Sequence, residues 1–114
     1  MSGIEDWNGY SAALRARGKE FAALAPEAMK GFTALTRGAA ATTHLDAKTR
    51  ELIALAVAVT TRCQGCIDAH ARKARAAGAT REEVAEALGV AIALNAGAAL
   101  TYSLHVLDAL EQAV

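Results

Sequence analysis

Two cysteines, a histidine and a glutamate are spaced along the chain in a way that suits thiol redox chemistry. Cys63 and Cys66 are separated by two residues, His70 follows four residues after Cys66, and Glu51 precedes the pair. The nucleophile is the thiolate, and a CxxC pair at a helix start has its pKa lowered by the helix dipole. These residues suit a cycle in which peroxide oxidises one thiolate to sulfenic acid and the other cysteine condenses with it to a disulfide.

His70 and Glu51 would supply the base and the acid of such a cycle. One helical turn separates His70 from Cys66, so the imidazole can accept or relay the proton of that thiol. Glu51 lies in an apolar stripe of the preceding predicted helix, beside Ala54 and Leu55, and we expect it to be partly buried. A carboxylate in that position can orient the imidazole or receive its proton through water.

The same residue types admit other interpretations. A Cys–Cys–His set with a carboxylate can bind zinc, although the chain has no second CxxC or HxxxH pair. Two cysteines in an apolar helix can be ordinary buried side chains. Glu51 can form a solvated ion pair with Arg50 or Arg62. We interpret His44 as a surface-loop residue and His105 as structural.

Capping and breaking signals predict the helices that position these residues. Pro26 suits the first position of a helix, Gly38 suits the position just past its end, and Asp46 can cap the next one. Thr60 or Thr61 can cap the helix that carries the cysteines. The predicted helices cover Tyr10–Leu24, Pro26–Arg37, Ala47–Thr60 and Arg62–Ala77, and a fifth begins at Arg81.

The fifth helix has the clearest start and the least certain end. Thr80 and Glu83 form a capping box, and Gly78 ends the helix before it. The helix either runs to the C-terminus or breaks near Asn95–Gly97.

Composition predicts one all-α domain over residues 1–114. Hydrophobic residues make up 54% of the chain, much of it alanine, and aromatic residues only 4%. Alanine favours helices over strands. Twelve basic and twelve acidic side chains cancel, so no electrostatic argument favours nucleic acid or an anionic membrane as a partner.

The segment Ala87–Leu104 runs 18 residues without a charge, which is the length of a short membrane span. Asn95 and the absence of flanking Lys or Arg favour a helix buried in a bundle or an oligomer instead. The apolar content exceeds what so short a chain buries alone, which predicts a homo-oligomer. Residues 1–10 contain Glu5 and Asp6 and no apolar core, so we expect a cytoplasmic protein.

Several motifs taken together resemble the AhpD-like alkylhydroperoxidases of the carboxymuconolactone decarboxylase superfamily. The resemblance extends from about Pro26 to the C-terminus and is densest from Leu45 to Leu88. It rests on Leu45-Asp46, Arg50-Glu51-Leu52-Ile53-Ala54-Leu55-Ala56-Val57, Cys63-x-x-Cys66-x-x-x-His70 and Gly78-Ala79-Thr80-x-Glu82-Glu83-Val84.

The resemblance implies an all-helical fold that assembles as homotrimers or homohexamers and reduces organic hydroperoxides without a metal or organic cofactor. It implies that Cys66 is the cysteine oxidised to sulfenic acid, that Cys63 resolves it, and that Glu51 and His70 form the proton relay. A dithiol or lipoamide-type compound would be the reductant, with a peroxiredoxin as a further partner.

One position departs from the family pattern. Characterised peroxidases of the group often carry histidine or tyrosine between the cysteines, where this chain has Gly65. The missing side chain removes a proton shuttle and bears on the rate and the substrate. The decarboxylase branch generally lacks the CxxC, so lactone decarboxylation is the least expected activity. The residues also allow a metal-binding member of the family, or a structural member whose disulfide toggles assembly.

Overall fold

The computed structural model describes residues 3–113, and all regular secondary structure in that range is helical. The predicted all-α fold class is confirmed. In chain order the helices are α1 (Trp7–Leu24), α2 (Pro26–Ala40), α3 (Ala47–Thr61), α4 (Gln64–Ala76) and α5 (Arg81–Gln112).

The predicted caps of α3 and α5 are present. Asp46 accepts a hydrogen bond from the Thr49 N–H at 2.7 Å, and this bond holds the pKa of the Asp46 carboxyl below its usual value. At the start of α5, the Thr80 hydroxyl accepts from the Glu83 N–H at 3.0 Å, while the Glu83 carboxylate accepts from the Thr80 N–H at 2.9 Å. These caps satisfy N–H groups that have no partner within their helices.

Helix α2 is longer than the sequence indicates. It continues through Gly38 and ends at Ala40 instead of Arg37. Within residues 3–113, Gly78 is the glycine with a positive φ, at 86°, so Gly38 does not adopt the left-handed conformation that ends a helix. A glycine in helical conformation weakens a helix without terminating it.

The turn between α3 and α4 also differs from the prediction. Thr60 and Thr61 stay within α3, where their hydroxyls donate to carbonyls one turn earlier at 2.8 and 3.0 Å. Arg62 takes a left-handed conformation with φ 54°, and the Cys63 N–H donates to the Ala58 carbonyl at 3.0 Å. The predicted threonine cap is therefore wrong: α4 begins at Gln64, capped by Cys63.

Helix α3 is the centre of the fold and packs against both α4 and α5. Its buried side chains are Glu51, Leu55 and Ala58, and the facing helices bury Ala74 and Ala91. The small alanine side chains let the helix axes approach closely.

Polar contacts join α5 to α3 at two positions along the helix axes. The Lys48 Nζ lies 2.7 Å from Glu83 Oε2, and Asn95 Nδ2 donates to Thr60 Oγ1 at 2.9 Å. The hydrogen bond with Glu83 raises the pKa of Lys48, and the same bond lowers the pKa of Glu83. Because Thr60 is near the end of α3, the part of α5 beyond Asn95 passes the end of its neighbour.

The C-terminal part of α5 is largely uncovered. The helix does not break at Asn95–Gly97 and continues to Gln112, about 25 Å farther along its axis. Its large apolar side chains there are more than half exposed, namely Leu100, Tyr102, Leu104, Val106, Leu107 and Leu110. By length and composition α5 could cross a membrane, and only 6% of its most apolar 18-residue window is buried within the chain.

The N-terminal helices form a hairpin at the other side of the molecule. Helix α1 packs against α2 and against α4. Phe32 and Leu35 of α2 are 62% and 73% exposed, so the apolar face of this helix is also mostly uncovered within the chain.

Candidate active site

Cys63 and Cys66 form a disulfide at the N-terminus of α4, with their Cα atoms 5.2 Å apart. Cys63 is the N-cap residue, and its Sγ accepts a hydrogen bond from the Cys66 N–H at 3.2 Å. This N–H is one of the unpaired donors at the positive end of the helix dipole. On reduction, the same donor would stabilise a thiolate at Cys63.

Glu51 and His70 are joined by a short hydrogen bond between neighbouring helices. Glu51 Oε1 of α3 lies 2.6 Å from His70 Nδ1 of α4. Glu51 is 5% exposed, whereas the His70 side chain is 30% exposed. A carboxylate is only an acceptor, so Nδ1 donates and the other ring nitrogen, Nε2, is left to exchange a proton.

A guanidinium compensates the buried carboxylate of Glu51. Arg50 Nε lies 3.6 Å from Glu51 Oε2, and Arg50 Nη1 donates to Thr42 Oγ1 at 2.8 Å. Arg50 rather than Arg62 is therefore the arginine beside Glu51. Because Glu51 is buried, the arrangement differs from the solvated ion pair that the sequence also allowed, and each carboxylate oxygen has a cationic or hydrogen-bonding neighbour.

The α3–α4 hairpin brings these two pairs to one place. His70 lies one turn after Cys66 on the same face of α4. Helical side chains lean toward the N-terminus of their helix, so the His70 side chain leans toward the turn that contains Cys66. Glu51 holds that ring from α3. All four predicted site residues thus lie on one hairpin whose connecting residues are Arg62 and Cys63.

The other two histidines lie away from this site. His44 is exposed in the loop before α3, as the sequence indicates. His105 is exposed on α5, with its ring centroid 4.8 Å from that of Tyr102. Among residues 3–113, no three His, Cys, Asp or Glu side chains are grouped so as to hold a metal ion.

An arginine of α4, held by an ion pair within that helix, makes contacts with α1 that sequence reasoning missed. Asp68 is 7% exposed, and its carboxylate lies 3.0 Å from Arg72 Nη2. That nitrogen also donates to the Trp7 carbonyl at 3.3 Å and to Asn8 Oδ1 at 3.2 Å. Nothing in the sequence indicated a partner for Arg72 more than sixty residues away.

Sequence reasoning also missed the contacts of the two residues between the cysteines. Gln64 Nε2 donates to Glu5 Oε2 at 2.9 Å. A Cβ at Gly65 would lie 3.0 Å from Leu14 Cδ2 and 3.7 Å from the Tyr10 hydroxyl. The N-terminal segment therefore contacts both positions, and Gly65 allows the close approach of α1.

Similarity to a known family covers most of the chain. Residues 26–109 match the model of the carboxymuconolactone decarboxylase family. An uncharacterized protein of Haemophilus influenzae is 54% identical over 104 residues, which cover 91% of this chain and 92% of that protein. Uncharacterized protein 4 in the cox locus of Paracoccus denitrificans is 44% identical over 81 residues, covering 71% and 73% of the two chains.

A solved structure shares both the fold and much of the sequence. It is the crystal structure of apo-lpg0406, described as a carboxymuconolactone decarboxylase family protein from Legionella pneumophila. The two structures superpose with a TM-score of 0.73 and 37% sequence identity, covering 93% of this chain and 95% of the other.

Proposed function

The chain belongs to the carboxymuconolactone decarboxylase family, and we propose that within this family it reduces organic hydroperoxides through a Cys63–Cys66 disulfide cycle. One observation carries the proposal: the disulfide at the start of α4 lies one turn from His70, whose imidazole is held by the buried carboxylate of Glu51. This arrangement supplies a nucleophile, a resolving thiol and a proton carrier.

In the oxidative half of the cycle, His70 takes the proton of the Cys66 thiol. The thiolate attacks one oxygen of the hydroperoxide, the O–O bond breaks, and Cys66 becomes a sulfenic acid. The departing alkoxide takes the proton from His70 and leaves as the alcohol. Glu51 stabilises the imidazolium while it carries that proton. The assignment of Cys66 as the oxidised residue follows from the family resemblance.

In the second step, the Cys63 thiol condenses with the sulfenic acid, which forms the disulfide and releases water. An external dithiol then reduces the disulfide and is itself oxidised to a disulfide. The Cys66 N–H, at 3.2 Å from Cys63 Sγ, supports this step because it stabilises a leaving thiolate at Cys63. We propose a small dithiol of the lipoamide type as the reductant, a peroxiredoxin as a further partner, and the cytoplasm as the location.

The test is a thiol titration of chelator-treated, reduced protein before and after one equivalent of an organic hydroperoxide. We expect both thiols to be lost within minutes and to return on addition of a dithiol. Survival of both thiols would overturn the proposal. Metal analysis of protein purified without chelator then tests whether the site binds a metal instead, and gel filtration with and without reductant tests a disulfide that toggles assembly.

Two cysteine variants assign the roles. Cys66→Ser should abolish peroxide consumption, because it removes the attacking thiolate. Cys63→Ser should consume one equivalent and stop at a sulfenic acid, which a sulfenic-acid reagent labels and mass spectrometry detects. Full activity in Cys66→Ser would contradict the assignment.

We also propose that the protein functions as a homo-oligomer. The radius of gyration is 18.3 Å, whereas a compact domain of this length has about 13 Å. The accessible surface is 8985 Å², about 3,000 Å² more than a folded monomer of this mass usually exposes. A standard interface buries roughly 800 Å² per partner, so this excess is enough for contacts with more than one copy.

A further inference from the structure

The N-terminal segment contacts the disulfide loop at both residues between the cysteines. Glu5 accepts a hydrogen bond from Gln64, and Leu14 lies so close to Gly65 that a Cβ there would be 3.0 Å from its Cδ2. The Tyr10 hydroxyl lies 3.7 Å from the same Cβ position. Helix α1 therefore passes directly beside the four-residue loop that the disulfide closes.

This position of α1 is held by polar contacts with α4. Arg72 of α4 donates to the Trp7 carbonyl and to Asn8, and the guanidinium is itself held by buried Asp68. The Trp7 and Tyr10 rings pack edge to face, with centroids 5.8 Å apart and planes at 75°. The Tyr10 ring is thus fixed, while its hydroxyl takes part in none of the polar contacts between α1 and α4.

Cys66 lies between this helix and the proton relay. At 100° per residue, Gly65 is about 100° from Cys66 on one side of α4, and His70 is about 40° from it on the other. Helix α3 with Glu51 covers the His70 side, and α1 covers the Gly65 side. The approach to Cys66 from the Gly65 side is therefore lined by α1.

We propose that Tyr10 and Leu14 of α1 form a wall of the substrate site and that Tyr10 determines which substrates reach Cys66. The proposal rests on the proposed function. The wall fits a slender apolar hydroperoxide, whose hydrocarbon part packs along Leu14 and the Tyr10 ring while the hydroxyl of Tyr10 donates a hydrogen bond to a peroxide oxygen. Bulky hydroperoxides are excluded. Helix α1 precedes the family-matched segment 26–109.

The first test does not depend on peroxidase activity. Reduced protein is alkylated with iodoacetamide or with a maleimide that carries a large aromatic dye, and the ratio of the two rates is measured. Tyr10→Ala should raise the bulky-to-small ratio at least about tenfold. Phe21→Ala, which removes a half-exposed aromatic side chain near the other end of α1, should leave the ratio unchanged. An unchanged ratio in Tyr10→Ala would overturn the proposal, whether or not the protein consumes peroxide.

A second variant keeps the test decisive if Tyr10→Ala does not fold. Leu14→Ala removes the side chain that rests on Gly65, and it should raise the same ratio severalfold while circular dichroism shows an intact helical fold. If a folded Leu14→Ala protein has the same bulky-to-small alkylation ratio as wild type, the proposal that α1 forms a wall of the site is also overturned.

A second experiment tests substrate selectivity by comparing kcat/KM for tert-butyl and cumene hydroperoxides. Tyr10→Phe should lower kcat/KM for both about tenfold, since it removes the hydrogen-bond donor but keeps the ring. Tyr10→Ala should favour the bulky cumene compound relative to wild type. Equal preferences in wild type and Tyr10→Ala would overturn the assignment of specificity to Tyr10. If no variant, wild type included, consumes peroxide, the proposed function fails and the alkylation ratio still decides the wall.

Discussion

The α3–α4 hairpin and the C-terminal part of α5 differ in whether their side chains find partners within the chain. In the hairpin, the buried carboxylates of Glu51 and Asp68 each have a partner within 3.0 Å, and within residues 3–113 no buried side-chain polar atom lacks a hydrogen bond. Along α5 beyond Asn95, large apolar side chains such as Leu100 and Leu107 are 69% and 65% exposed.

The comparison separates interactions that form within one chain from surface that we propose other copies of the chain cover. Burying a charge without a partner is costly, so the polar groups of the hairpin must be paired within the chain before any assembly. Exposed apolar surface is tolerated only until it is covered, and here α5 carries the largest share of the exposed large apolar side chains. We therefore expect substitutions in the hairpin to affect chemistry first and substitutions on α5 to affect assembly first.

The largest effect should come from Glu51→Gln. The amide keeps the shape of the side chain but cannot stabilise an imidazolium at His70, so kcat/KM for an organic hydroperoxide should fall at least about 100-fold. The exposed Glu86 provides a matched control, since Glu86→Gln should change kcat/KM less than about twofold. Wild-type activity in Glu51→Gln would remove this carboxylate from the proton relay.

On α5, Leu100→Lys combined with Leu104→Lys should dissociate the oligomer. Each substitution places a charge where the proposal puts an apolar interface, which should raise the dissociation constant at least about tenfold. Light scattering coupled to gel filtration measures the mass, and Lys19→Glu on α1 is a surface-charge control. A monomeric wild-type protein would contradict the proposal directly, and so would recovery of the wild-type chain only in a membrane fraction.

A smaller effect is expected where the hairpin meets α1. Asp68→Asn leaves Arg72 without its buried carboxylate partner, and we expect the free energy of unfolding to fall by about 1–2 kcal/mol, reduced from a fully buried pair because Arg72 is half exposed. Urea unfolding followed by circular dichroism measures it. Arg75→Gln, a change at another exposed arginine of α4, should stay within about 0.5 kcal/mol. Equal stability of Asp68→Asn and wild type would show that this pair does not hold α1.

The smallest effect concerns the junction of α3 and α5. Because the pKa of Glu83 is lowered in the folded protein, its carboxylate stabilises the fold above the unfolded pKa of about 4.3, and this contribution is lost as pH falls through the lower folded value. Glu83→Gln should therefore lower Tm by about 2 °C at pH 6, and the difference should shrink toward pH 3. The control is Glu82→Gln, one residue away. A difference that stays constant from pH 6 to pH 3 would contradict the assignment.

Local signals predicted most of the fold because capping is a local interaction. Asp46, Thr80 and Pro26 marked helix starts to the residue, since each acts within one turn of its own position. Gly38 misled because a glycine ends a helix only when its backbone turns left-handed. The cap by Cys63 was missed because sulfur is an unusual capping acceptor and two threonines precede it.

For the site, spacing and resemblance placed Glu51, Cys63, Cys66 and His70 in one group, and the structure brings them together on one hairpin. Their catalytic roles stay predictions. The contact of α1 with Gln64 and Gly65 could not be foreseen. It depends on how two segments about fifty residues apart pack, and neither segment carries a local pattern that encodes its partner.

The left-handed Arg62 has a consequence for how this chain can change in length. Only Arg62 and Cys63 lie between α3 and α4. The length of this turn therefore determines which face of α4 meets Glu51. One inserted residue would rotate α4 by about 100° about its axis and turn His70 away from Glu51. Insertions and deletions should therefore be rejected between Glu51 and His70.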